Sequence, residues 1–270
     1  ALHYRRGNPP RRVAIVAVDP SSPFTGGAVL GDRVRMRDLS GDPGVFIRSM
    51  ASRGSLGGLA SATAGVTQVF DAAGFDVVII ETVGAGQSEV DIARLAHTTI
   101  VIEAPGLGDD IQAIKAGILE IADILVINKA DRPGVESTER ALKSNLDLAH
   151  PVQKVFQHHG QSMTVAAVET ERAAPLWSPP ILRTVATDGS GLPELLETID
   201  KHAAHLRQTG EWQRRERERL QSELDTLIAE ALVERFRRGV GDDRYNGMLD
   251  AVAQRSVSPW EAARRLLNGT

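Results

Sequence analysis

Cysteine is absent from all 270 residues. That excludes a disulfide framework, a thiol nucleophile and any zinc site built on thiolates. No apolar run approaches the ~18 residues of a membrane span, and the first residues show no charged segment followed by an apolar one, as a signal peptide would. An excess of basic charge is also missing: 31 Lys+Arg against 35 Asp+Glu give a formal net charge of −4. A general nucleic-acid binder needs a basic face, so nucleic acid is not an expected partner. What remains is ordinary for a globular chain, 42% hydrophobic and 24% charged, and a cytoplasmic setting with no membrane partner is the expectation.

Five short, β-branched apolar runs stand out, at residues 13–18, 77–80, 98–102, 124–127 and 181–185. None alternates apolar with polar residues, which predicts strands buried on both faces of a parallel sheet. Helix-like stretches at 55–73, 90–96 and 109–121 lie between them. The predicted fold class is α/β, a doubly wound, mostly parallel sheet. Ligands of such sheets bind beyond the carboxyl ends of the strands, so chemistry is sought just after each run. A turn at Asp188-Gly-Ser-Gly opens a helix over 193–206, and beyond Gly210 the composition shifts to Arg and Glu. There Leu220, Leu224, Leu227, Ile228, Leu232 and Phe236 fall in steps that form one helical stripe. The stripe fits either a helix packed on its own domain or an arm that pairs with a second subunit. A last helix is predicted over 258–267, with Ser258 as N-cap, Pro259 at N1 and Glu261 completing a capping box. The predicted domains are 1–206 and a helical arm, 207–270.

Asn128-Lys129-Ala130-Asp131 follows the fourth run. A carboxylate at Asp131 can accept from both guanine N1–H and the N2 amino group. Adenine offers neither donor there and would leave the charge unpaired. Lys129 can lie along the base and Asn128 can tie the loop together. Glu81-Thr-Val-Gly-Ala-Gly-Gln-Ser-Glu follows the second run. An acid at a strand tip three residues before a Gly suits a Mg²⁺-holding carboxylate, with the Gly84 N–H toward a γ-phosphate and Gln87 placed to orient water. Asp19-Pro-Ser-Ser, after the first run, leads into a Gly-rich stretch that ends at Asp32. It fits a switch loop reaching Mg²⁺, or an Asx turn that caps the next segment. Val185 and Ala186 stand where backbone amides would touch guanine O6. His158 and His159 form the one His pair, with no third ligand at hand, and read as a solvated loop.

These four segments, 18–22, 31–36, 81–89 and 128–131, occur in this order in the MeaB/ArgK-type GTPases, which the chain resembles over most of residues 1–200. These are methylmalonyl-CoA mutase-associated G-protein chaperones of the SIMIBI class of P-loop NTPases. The resemblance implies GTP and GDP as ligands, with Mg²⁺ held near Asp19, Asp32 and Glu81. It implies a partner, an adenosylcobalamin-dependent acyl-CoA mutase whose cofactor loading is gated and which is protected or reactivated. It adds a third switch carrying Asp109, Gln112 and Lys115, which completes a catalytic set of Asp32, Glu81, Gly84, Gln87 and Lys115. It further implies a homodimer through the C-terminal helices. The family's G-x-x-x-x-G-K-[ST] loop is not in the sequence: of its five lysines, only Lys143 precedes Ser or Thr, and that site lacks the glycines. The match starts inside the helix that should follow that loop, so the phosphate loop is expected upstream of Ala1. Two other readings stay open, a non-catalytic nucleotide-responsive binding protein and a metal-insertion GTPase of the same fold class.

Overall fold

In a computed structural model, residues 1–19, 36, 39, 41–51, 56–82, 93–106, 119–149 and 176–268 are described. They form two compact units, Ala1–Arg217 and Glu218–Thr270.

Among the described residues the first unit holds six strands: β1 (Val13–Asp19), β2 (Val45–Ala51), β3 (Val77–Thr82), β4 (Ile100–Glu103), β5 (Ile124–Asn128) and β6 (Ile181–Thr184). They make two three-stranded sheets, β2-β1-β3 and β4-β5-β6, and every pairing is parallel. Helices α1 (Leu2–Arg6), α2 (Leu56–Ala72), α3 (Val135–Ala149) and α4 (Leu192–Thr209) accompany them. The fold is α/β with parallel sheets. The central strands carry the core. Val13 to Val18 of β1 and Ile124 to Ile127 of β5 are at most 5% exposed. β5 shows why its sequence is an unbroken apolar run. Leu125 and Ile127 pack with Val135 and Leu142 of α3 on one face. Ile124 and Val126 pack with Leu182, Leu195 and Ile199 on the other. Each such side chain contributes roughly 1.5–3 kcal/mol by leaving water. In the first sheet Ala14, Val16 and Val18 pack with Phe70 of α2, and Phe70 meets Phe46 and Phe75 at ring-centroid distances of 5.4 Å each.

Several expectations need correction. β2 was not among the five predicted strands, because Arg48 and Ser49 interrupt its apolar run. The strand predicted at 98–102 begins at Ile100, since Thr98 and Thr99 are held outside the ladder by polar contacts. The helix predicted at 193–206 runs from Leu192 to Thr209. The predicted helices at 90–96 and 109–121, and the His158–His159 pair, lie largely or wholly outside the described residues.

The second unit is helical. It takes in most of α5 (Glu211–Val240), then α6 (Asp242–Ala253) and α7 (Pro259–Asn268). α7 packs on α6, with Ala262 and Leu266 buried. The Ser258 hydroxyl caps α7 by accepting from the Glu261 N–H at 3.2 Å. The expected capping box is only half made, because the Glu261 carboxylate turns outward to Arg264 and Arg265. Among the described residues no helix is long and apolar enough to cross a membrane.

Candidate nucleotide site

The carboxyl ends of β5 and β6 are bound into one polar rim. Asn128 closes β5, and its Oδ1 accepts from the Thr184 hydroxyl at 3.3 Å and from the Ala186 N–H at 3.1 Å. The Ala130 N–H donates to the Thr184 carbonyl at 3.0 Å. Lys129 between them has φ +59°. Such left-handed backbone costs a non-glycine residue roughly 1 kcal/mol or more, and it persists where neighbours over-determine it. Here the hydrogen bonds on either side do so. Lys129 and Asp131 are exposed, and both stand on this rim.

The loop after β6 folds on itself. The Val185 N–H donates to the Ser190 carbonyl at 3.0 Å and the Gly189 N–H to the Val185 carbonyl at 2.9 Å. The Ser190 N–H donates to Asp188 Oδ1 at 2.8 Å. Hydrogen bonds from the Ser190 side chain and backbone hold the Asp188 carboxyl below its ordinary range. The Val185 and Ala186 amides therefore both donate within the chain, and a guanine O6 would meet them only as a second, shared acceptor.

In the other sheet Glu81 of β3 is in register with Ala17 of β1, and Asp19 is the last residue of β1. The two acidic positions thus share the carboxyl edge of adjacent strands. Glu81 is half-buried, with Oε2 shielded from solvent. Oxygen donors of this kind suit Mg²⁺. Among the described residues no group of three or more His, Asp or Glu could hold a metal ion. The Asp19 side chain, Asp32, Gly84, Gln87 and Lys115 lie outside the described residues.

At the opposite end of β5 the sequence reading missed a buried polar cluster. Asp123, 6% exposed, precedes β5 directly. Its carboxylate accepts from the Thr99 N–H at 2.8 Å and from both ends of the Arg215 guanidinium at 2.9 Å each. Its carbonyl accepts from the Trp177 indole at 2.7 Å. His202 of α4, 0% exposed, places Nε2 3.3 Å from Asp123 Oδ1 and Nδ1 2.9 Å from the Thr98 hydroxyl. Burial pushes the Asp123 carboxyl up, but His202, Arg215 and the Thr99 N–H outweigh it and hold it below its ordinary value. Arg215 also donates to the His97 carbonyl at 2.8 Å, and the His97 ring stacks on Trp212 at 3.7 Å. The cluster roots the first turns of α5 in the base of the sheet. Its members span residues 97 to 215, so no local motif announces it.

A family model described as methylmalonyl Co-A mutase-associated GTPase MeaB matches residues 2–240. A Pyrococcus abyssi protein described as a candidate GTPase is 43% identical over 256 residues, covering 94% of this chain and 73% of that protein. The Escherichia coli GTPase ArgK is 35% identical over 259 residues, covering 94% of this chain and 72% of that one. Among solved structures, the crystal structure of an LAO/AO transport system kinase is similar at a TM-score of 0.63 and 25% identity, over 99% of this chain and 74% of that one.

Proposed function

The chain belongs to the family of methylmalonyl-CoA mutase-associated GTPases, and on that premise we propose that it is a GTP-hydrolysing chaperone of an adenosylcobalamin-dependent acyl-CoA mutase. One observation supports this most directly: the Asn128 brace that holds the Asn128–Asp131 turn against the loop after β6. A turn fixed at both ends presents the Asp131 carboxylate as a rigid acceptor for guanine N1–H and N2–H₂. Preorganised acceptors select strongly, because the wrong base leaves a desolvated charge unpaired.

The acids at Asp19 and Glu81, with Asp32, would hold Mg²⁺, whose positive charge offsets the charge of the β- and γ-phosphates. Gly84 and Gln87 would then face the γ-phosphate and the attacking water. Lys115, in the third switch, would act in the complex with the mutase. The helical region 207–270 would serve as a dimerisation arm, since the α5 stripe of Leu220, Leu224, Leu227, Ile228 and Leu232 stands 46–59% exposed in the single chain. This reading sets the protein in the cytoplasm beside its mutase.

The guanine reading is tested by titrating the full-length protein with GDP, ADP and XDP. GDP should bind in clear preference to ADP. Asp131→Asn should lose about 2–4 kcal/mol for GDP and turn toward XDP, because the amide presents a donor where N1–H needs an acceptor. Equal affinity of the unmodified protein for ADP and GDP overturns it. The chaperone reading predicts slow hydrolysis alone and at least about a tenfold rise with the mutase, through ordering of switch loops by the partner.

A further inference from the structure

The turn that carries Asp131 touches the segment leaving β4 at one packed junction. β4 ends at Glu103, in register with Ile127 of β5, so the chain leaves both strands at the same edge. Past β4, Pro105 is buried and Gly106 has φ +92°. Past β5, the Arg132 N–H donates to the Lys129 carbonyl at 3.0 Å and closes the turn around Asp131. Pro133 follows, its φ fixed by the ring, and Gly134 has φ +98°. The two glycines meet there. A Cβ built on Gly134 would lie 3.7 Å from the Gly106 nitrogen and 3.8 Å from Pro105 Cβ. Both take backbone that residues with side chains rarely adopt, and this lets the two loops approach.

Gly134 is also held by α3. Its carbonyl accepts from the Ser137 hydroxyl at 2.7 Å, the Thr138 hydroxyl at 3.2 Å and the Thr138 N–H at 3.1 Å. Pro105, Val135 and Thr138 are buried around this point. Val101 of β4, Ala130 of the turn, and Val135 and Leu142 of α3 belong to one apolar cluster. Close-packed groups transmit a displacement to their neighbours, because little free volume absorbs it. Gly134 stands three positions after Asp131, and Asp109 stands three positions after Gly106. The base-reading carboxylate and the first residue of the third-switch set are thus joined by two short tethers and one packed contact.

We propose that the junction of Pro105 and Gly106 with Gly134 couples recognition of the guanine base to the third switch, so that the base, as well as the phosphates, sets the rate of hydrolysis in the complex with the mutase. Pro105 and Gly134 are positioning residues here, acting through Asp131 and the switch. Two donors on one base fix Asp131, the closed turn fixes Gly134, and Gly134 fixes Pro105 and the entry to the switch. Coupling between two sites is one free energy shared by both. The proposal rests on the guanine and third-switch readings above and adds the link between them.

Inosine lacks the N2 amino group, so ITP offers Asp131 one donor in place of two and carries the same phosphates. The full-length protein is assayed at saturating GTP and ITP, alone and with its acyl-CoA mutase. Alone, the two kcat values should agree within about twofold. With the mutase, kcat for GTP should exceed that for ITP about three- to tenfold. Pro105→Ala removes the ring from the junction and should bring the stimulated GTP kcat down to the ITP level, while KM for GTP moves by less than about twofold. Ser137→Ala, an exposed change that frees the Gly134 carbonyl of one donor, should give part of the same loss. Hydrogen exchange gives a readout without the mutase. Amides of residues 102–106 should be slowed more by saturating GDP than by saturating IDP in the unmodified protein, and equally by both in Pro105→Ala. Equal stimulated kcat for GTP and ITP, where the mutase still stimulates and Lys115→Ala still lowers that rate, overturns the junction and leaves the function standing. Equal slowing of exchange by GDP and IDP in the unmodified protein counts against it in the same way. A base-dependent rate that survives both Pro105→Ala and Ser137→Ala also overturns it, since the coupling then runs elsewhere. Equal affinity for ADP and GDP, or no stimulation by the mutase, overturns the function and the junction together.

Discussion

Asn128 has one side-chain oxygen and holds two donors with it, the Thr184 hydroxyl and the Ala186 N–H. Replacing it with Ala leaves both without that acceptor and frees the turn that carries Asp131. Each lost bond of this kind costs about 0.5–1.5 kcal/mol. Asn128→Ala should therefore lower the unfolding free energy by roughly 1–3 kcal/mol. It should weaken GDP binding by more than the stability loss alone explains, read by comparing urea midpoints with GDP titrations. Gly191 is a sharper case. Its φ is +75°, and a Cβ there would lie 2.0 Å from the Arg183 carbonyl oxygen. That oxygen is backbone of β6 and has no flexible end to swing aside. Gly191→Ala should destabilise the protein by several kcal/mol, roughly the range of backbone strain and overpacking combined. Gly65→Ala meets nothing within 4 Å, lies within α2, and should be neutral or slightly stabilising in the same thermal melts.

Among the elements, β5 is buried from Ile124 to Ile127 and has a polar clamp at each end, Asp123 below and Asn128 above. The lower clamp is charged. Breaking a buried ion pair from one side costs about 3–5 kcal/mol, and since the Arg215 side chain is 32% exposed the Arg215→Ala loss should sit near or below the lower end of that range. The carboxyl of Asp123 is held below its ordinary 3.8 in the folded protein. Its contribution is thus complete above that value and is lost as pH falls through the lower folded value. Asp123→Asn should flatten the fall of the urea midpoint below about pH 4 while leaving the slope at pH 7 unchanged. The same two clamps show what was legible in the sequence. The run Ile124 to Ile127 and the Asn-Lys-x-Asp motif after it are contiguous, so period and spacing reveal both. β2 was not legible because Arg48 and Ser49 break its apolar run. α3 was missed because the stripe it buries among its described side chains, Val135, Thr138 and Leu142, is narrow in an otherwise polar sequence. The Asp123 cluster joins residues far apart in sequence, and only the folded chain brings them together.

At the scale of the whole molecule the two units differ in what holds them. The first has apolar clusters around β1 and β5, with side chains at most 5% exposed on those strands. The second buries Ala262 and Leu266 among its described residues, while α5 and α6 bury none. Helical propensity and i,i+4 ion pairs such as Arg219–Glu223 and Arg238–Glu234 add only a few tenths of a kcal/mol each. A 30-residue helix with no buried residue has little to hold its far end against fraying, because most helical stability comes from packing. The stability of residues 218–268 should then depend on association, and binding stabilises only as much as concentration allows. Hydrogen exchange on the full-length protein measures this directly. Amides of β1 and β5 should show the same protection at nanomolar and micromolar concentration. Amides of α5 beyond Leu220, and of α7, should be protected at micromolar concentration and exchange faster on dilution. The gain is about 0.7 kcal/mol for each tenfold step in total concentration, because the monomer fraction of a homodimer falls as the square root of concentration. Protection in 218–268 that is high and independent of concentration would show that this unit is stable without a second copy, and would remove the dimer from the account of its stability.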